Sequence, residues 1–250
     1  MKAGFLTFLI IVGTAAAQAK PPAKPNAAPP VPSLKLLQHC ALCGDSDVYL
    51  TKSSLLLKTE KSHLNFVCQA PFREVTVYST YSGKIVKVPV NFKNPFSSAR
   101  ALLAGIDLSG VPMDESGAAT VCQKTCQVFK SKPAWTKEQK EKRLKKECEA
   151  GEPVEVRAEY LKSDCEPALL RLVAHIYGVP EKELLPVSLS YKEADGTAID
   201  VKHVRTFKIE SVPVQETIFQ VPGGLRTVKN MNEVIQDASA DGAMEMMLGH

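Results

Sequence analysis

The residues in this chain best spaced for chemistry are the two cysteines of His39-Cys40-Ala41-Leu42-Cys43-Gly44. A C-x-x-C pair can act as a redox couple, in which the first thiolate attacks and the second resolves. It can also form half of a zinc site, where a tight knuckle directs both sulfurs at one metal. The redox use wants a strand before the pair and a helix after it. Here a Pro-rich run and a short apolar stretch come first, and Gly44-Asp45-Ser46-Asp47 reads as a turn. Zinc needs a second pair, and Cys122-x-x-x-Cys126 has helical rather than knuckle spacing. Structural disulfide use of Cys40 and Cys43 is therefore favoured, and an envelope thiol–disulfide oxidoreductase is the enzymatic alternative.

The chain has seven cysteines, an odd number, so at least one is left without a partner within it. Cys122, Cys126, Cys148 and Cys165 read together: two cysteines one turn apart on a helix can each reach a neighbouring element and staple a small insertion that lacks a core. At least two disulfides are expected, most of them among these four. Cys68 alternates with Leu64 and Phe66 on the apolar side of a strand and is expected to be a buried thiol. The histidines at 39, 63, 175, 203 and 250 have no ligand spacing, and no serine sits in a nucleophile-elbow pattern. Gly223-Gly224 lacks the neighbours of a phosphate-binding loop. No catalytic residue, metal or cofactor is expected, and the protein reads as a non-enzyme.

Compartment supports the disulfide reading. Lys2, the apolar run Phe5–Val12 and Ala17-Gln18-Ala19 have the form of a secretion signal over residues 1–19. Its apolar run is shorter than the roughly 20 residues that span a bilayer, so no stable membrane span is expected. Export across the inner membrane, to the periplasm, is the expected localisation. Removing the signal takes away Lys2 alone and lowers the formal charge from +4 to +3, which gives no reason to expect nucleic acid as a partner. Residues 20–33 are rich in proline and alanine and read as a disordered spacer.

The elements that must position these residues follow from periodicity. From Asp47 to Phe92, apolar residues alternate in four runs joined by short polar turns, an antiparallel meander. Asn94-Pro95 opens a helix whose apolar face is Phe96, Ala99, Leu102, Leu103 and Ile106. Ala118–Lys130 is a short helix candidate, and the charged stretch Lys137–Glu147 continues a helical insertion over 118–150. A strand at Val154–Tyr160 follows. Then comes a helix with a Ser163-x-x-Glu166 capping box, ended by Gly178 and Pro180.

In the C-terminal part, Val187, Leu189 and Tyr191 alternate, Asp195-Gly196 is a hairpin turn, and Val201, His203, Arg205, Phe207 and Ile209 alternate again. Ile218–Val221 is a third short strand, and Asn230–Ser239 a weak helix before a frayed tail at 241–250. This order, closing on Phe219-Gln220-Val221-Pro222-Gly223, resembles the last strands of the LolA-like half-barrel envelope proteins. The resemblance implies a fold and a surface. The fold would be α+β: a curved, largely antiparallel half-barrel sheet packed by helices, with the Cys-rich helical insertion, in one domain over 34–240. The surface would be an apolar site lined by Phe66, Val88, Phe92, Phe96, Leu102, Leu103, Ile106 and Phe207. A lipid or lipoprotein acyl chain, or an envelope protein, would be held there. A structural or assembly protein that docks through the charged insertion is the remaining alternative.

Overall fold

Alternation dominates this chain to a greater extent than the sequence reading allows. The computed structural model describes residues 29–40, 44–90, 111–131, 153–193 and 204–235. Its strands are β1 (Val31–Cys40), β2 (Gly44–Leu50), β3 (Ser54–Thr59), β4 (Asn65–Gln69), β5 (Glu74–Ser79) and β6 (Lys84–Pro89), then β7 (Asp114–Val121), β8 (Lys124–Lys130), β9 (Pro153–Leu161), β10 (Leu185–Glu193), β11 (Val204–Val214) and β12 (Arg226–Thr227). They form a twelve-stranded sheet in the order β12-β6-β5-β4-β3-β2-β1-β11-β10-β9-β8-β7. The sheet is mixed, because β12 lies parallel to β6 while the other pairings are antiparallel. It does not close on itself.

The expected helix-packed α+β layout is therefore corrected. Among the described residues, α1 (Pro167–Ile176) and a short helical stretch at 231–235 pack on the sheet. The clearest reversal is at 118–130, where the expected helix is instead the β7–β8 hairpin. Cys122 and Gln123 adopt φ of 48° and 64° between the paired Val121 and Lys124, which makes a two-residue turn with both centres left-handed. Thr120, Val121, Thr125 and Val128 are β-branched and suit a pleated surface better than a helix. The four-residue spacing of Cys122 and Cys126 is a turn-to-strand spacing. The rest of the expected insertion, 132–152, and the Asn94–Ile106 helix lie outside the described residues.

The inner face of the sheet is a row of cross-strand neighbours. Ile209, Leu36, Val48, Leu57, Phe66, Val77 and Val86 lie side by side across seven strands, and all are buried. Helix α1 lays Leu169, Leu172, Val173 and Ile176 into the same core. Each such side chain contributes about 1.5–3 kcal/mol by leaving water. The expected capping box does not form: Glu166 is the N-cap without a side-chain bond, and Pro167 opens the first turn. The helix ends where the sequence indicates. Gly178, at φ 64°, donates to the His175 carbonyl and Val179 donates to the Ala174 carbonyl, the bond pair of a Schellman stop.

A buried polar chain ties the helix end to the strands beneath it. The Tyr177 hydroxyl donates to Gln38 Oε1, Gln38 Nε2 donates to Thr206 Oγ1 at 2.9 Å, and the Thr206 hydroxyl donates to the Val187 carbonyl. Buried polar groups need such partners, and these link α1, β1, β11 and β10.

On the outer face, Leu56, Val67, Tyr78 and Val214 are covered by Phe219. The strand expected over Ile218–Val221 does not form. Phe219 ends a 3₁₀ turn, Glu216–Phe219, held by the Ile218 and Gln220 amides on the Gln215 and Thr217 carbonyls. It straps the outer side of β3 and β4 and delivers β12 to β6, where the Arg226 and Val228 amides bond the Gly83 and Ile85 carbonyls. The chain then makes a helical turn at 231–235. Asn230 Oδ1 accepts from the Glu233 amide and the Glu233 carboxylate accepts from the Asn230 amide, a reciprocal cap.

Candidate binding cleft

β11 pairs with β10 only at Arg205–Ser188 and Val204–Leu189, but with β1 along its whole length. A cleft of about 900 Å³ lies along the far half of β11 and β1. Val31–Leu34 of β1 and Ser211 of β11 form one wall. The β2–β3 turn at Thr51–Ser54, with Gln69 and Ala70, forms another. Lys124 of β8 and the run Leu161–Cys165 after β9 stand opposite, and Glu216 and Phe219 reach in from the outer strap.

Hydrogen bonds between loops distant in sequence hold this rim. The Glu166 amide donates to the Lys52 carbonyl at 2.9 Å, and Cys165 Sγ donates to the Thr51 carbonyl at 3.3 Å. Ser163 Oγ donates to Cys165 Sγ and accepts from the Cys165 amide, which fixes the thiol's direction. The Ala70 amide donates to the Ser53 carbonyl at 3.0 Å, and Thr51 and Ser54 close the turn between them. Three loops are thereby joined before any ligand arrives.

The lining is amphipathic. Val31, Pro32 and Leu34 supply apolar surface over buried Leu50, Leu161 and Phe219, while Lys52, Lys124 and Lys162 stand at the rim with Asp164 and Glu216. None of these five charges has an ion-pair partner among the described residues. Cys165 is half-buried, and burial raises its thiol pKa against the opposing pull of the Ser163 hydrogen bond.

The three described members of the expected lining set do not line this cleft. Phe66 is fully buried in the inner core, and Val88 packs partly buried against it. Phe207 stands outside that core, 49% exposed, because β11 carries a bulge: Leu37 pairs with Lys208 and Gln38 with Thr206, leaving Phe207 as the extra residue. Phe92, Phe96, Leu102, Leu103 and Ile106 lie outside the described residues. Of the disulfide candidates, Cys122, Cys126 and Cys165 carry free thiols, as does buried Cys68. Cys122 donates to the Thr206 carbonyl and Cys126 to that of Lys124, so neither is set to staple the other. Cys43, Cys148 and the Cys40 side chain lie outside the described residues. No group of three or more His, Cys, Asp or Glu that could hold a metal occurs among the described residues.

Of the cleft residues, the sequence singles out only Cys165 as a site residue, and as a disulfide candidate. Val31–Ser33, expected as the end of the spacer, are the first three residues of β1, paired with Val214, Pro213 and Val212. The three lysines come from a turn, a hairpin and a strand end, and no local pattern links them.

No protein-family model matches the chain, and no curated protein matches it in sequence. Among solved structures it is similar to an uncharacterized conserved protein from Thermus thermophilus, at 9% identity and TM-score 0.44, over 80% of this chain and 91% of that one. It is also similar to a chain of the Pseudomonas aeruginosa MucA/MucB complex, at 9% identity and TM-score 0.37, over 80% of this chain and 59% of that one. An outer membrane lipoprotein-sorting protein domain from Vibrio parahaemolyticus matches at 8% identity and TM-score 0.21, over 75% of this chain and 87% of that one. The LolA-like resemblance is supported only loosely, and no function is carried across likenesses this distant.

Proposed function

We propose that this is a non-catalytic protein of the bacterial envelope that holds an extended segment of a partner polypeptide in the rim cleft. The observation that carries this reading is the cleft itself: about 900 Å³, open, pre-assembled by loop-to-loop hydrogen bonds, and lined by both apolar and charged side chains. An extended peptide offers the same mixture, since its backbone is polar and its side chains alternate. An acyl chain needs a dry, enclosed channel. On the inner face, where a half-barrel would hold one, α1 packs Leu169, Leu172, Val173 and Ile176 into the core of the sheet. Periplasmic location belongs to the same proposal and rests on the secretion signal at residues 1–19.

The oxidoreductase alternative rests on Cys40 and Cys43, and Cys43 and the Cys40 side chain lie outside the described residues; the described thiols are a separate set. Burial raises the pKa of Cys68, Cys122, Cys126 and Cys165, away from the reactive thiolate. No helix among the described residues is long and apolar enough to cross a membrane.

The test is site-specific photocrosslinking in the periplasm of the secreted protein, with a benzophenone side chain at Ser53 or Lys162 and a control at exposed Lys87. Polypeptide adducts at the two cleft positions and none at the control are expected. Co-purifying lipid with no polypeptide adduct would overturn the reading.

A further inference from the structure

The two ends of the sheet are treated differently. At one end β12 is only two residues long, and the strap leading to it shields the neighbouring strands. At the other end β7 runs for eight residues, pairs with β8 on one side, and has no strand on its other side among the described residues. Its side chains are exposed apart from Ala119 and Val121, which are half-buried.

The hairpin turn decides which backbone groups are unpaired. Cys122 and Gln123 form the two-residue turn, so Val121 and Lys124 are the closing pair, and hydrogen-bonded pairs recur at Ala119–Cys126 and Gly117–Val128. The N–H and C=O of Ala118 and Thr120 therefore point away from β8, into solvent.

Natural edges are blunted by charge, proline or bulges. β7 has these only in its first half: Asp114, Glu115, and a bulge at Ser116 between Glu115 and Gly117. From Gly117 to Val121 it reads Gly-Ala-Ala-Thr-Val, with no charge and no proline, and side chains small enough for another backbone to approach.

We infer that β7 is a strand-addition site: an extended segment of another protein pairs with Ala118 and Thr120 and carries a lysine or arginine where it passes Asp114 and Glu115. Charge complementarity selects this occupant. Both carboxylates are exposed without an ion pair among the described residues, and they lie on the strand that would be augmented. A strand added here ends at the hairpin tip, where Lys124 is part of the cleft rim. The inference rests on the partner being a polypeptide, and it adds a second contact outside the cleft.

The probe is a synthetic peptide of alternating valine and threonine with a lysine at each end, titrated into the secreted protein. Amide exchange at Ala118 and Thr120 should slow by about tenfold or more at saturation. Thr120→Pro removes an outward N–H that β8 does not use, and Ala118→Lys places a blocking charge on the edge. Each should weaken peptide binding about tenfold or more while leaving the circular dichroism unchanged. The lysine variant decides the matter if the proline variant fails to fold.

No binding by the wild type at millimolar peptide, or unchanged affinity in a folded variant, would overturn the inference. So would a wild-type dimer abolished by Ala118→Lys, which would make a second copy the occupant. Because neither variant alters Ser53 or Lys162, cleft crosslinks that persist in Ala118→Lys separate failure here from failure of the cleft reading.

Discussion

Replacing Phe219 by alanine asks whether the segment after β11 is a structural strap. Phe219 is 2% exposed and lies with Leu56, Val67, Tyr78 and Val214 on the outer face. A fully buried phenylalanine removes on the order of 150–200 Å² of apolar surface from water, worth about 4–5 kcal/mol at about 25 cal/mol per Å². The strap lies at the surface and can settle into the vacancy, so the expected loss is about 3–4 kcal/mol. Phe207 is the internal control. At 49% exposed it has about half as much area to lose, and Phe207→Ala should cost no more than about 2 kcal/mol. Urea unfolding followed by far-ultraviolet circular dichroism measures both, with equal denaturant slopes required for the comparison. The Val228 amide, bonded to the Ile85 carbonyl beyond the strap, should also exchange faster in Phe219→Ala. A loss below about 1 kcal/mol, or one no larger than that of Phe207→Ala, would refute the reasoning.

Three further outcomes are expected. Gln123→Gly should stabilise the protein by about 1 kcal/mol in the same urea assay, because Gln123 holds a left-handed φ of 64° that costs a side chain and costs glycine almost nothing. Leu172→Ala, at a fully buried position of α1, should cost about 2–5 kcal/mol, and an effect under about 1 kcal/mol would mean the helix is not seated on the inner face. Burial pushes the Cys68 thiol up to about 12 from an ordinary value of 9.0. Above the unfolded value the unfolded chain therefore binds fewer protons than the folded one. Stability should be fully present below about pH 9 and fall by about 1.4 kcal/mol per pH unit toward about pH 12. Cys68→Ala should lessen that slope, and an unchanged slope would show that the thiol is not the group responsible.

The meander from Ser54 to Pro89 is legible because inner-face residues recur at every second position (Leu55 and Leu57, Phe66 and Cys68, Val75 and Val77, Val86 and Val88) between short turns, although Leu56, Val67 and Tyr78 are buried on the outer face as well. The helix stop is legible for a related reason, since Gly178 marks a local backbone requirement. The phase of β11 is not. Arg205 and Phe207 look continuous with Ile209 in an alternating run, but the bulge inserts one residue, so Val204, Thr206 and Ile209 face inward instead. No side-chain pattern announces a bulge, because the extra residue is set by pairing with β1, where Gln38 and Thr206 meet across a separation of 168 residues.

The cleft is illegible for a stronger version of the same reason. Its walls are strand ends and turns brought together by sheet order: β1 lies beside β11, and the Ser163–Glu166 run lands on the β2–β3 turn. Periodicity reports which face of an element is wet, but it is silent on which loops meet. Of the apolar residues expected to line a ligand, Phe66 and Val88 belong to the inner core, where strict alternation packs a sheet. The residues left over, with mixed character and no period, line the opening. Among the described residues, binding groups are therefore to be sought at the ends of strands and along the β7 edge, where the pattern that builds the core stops.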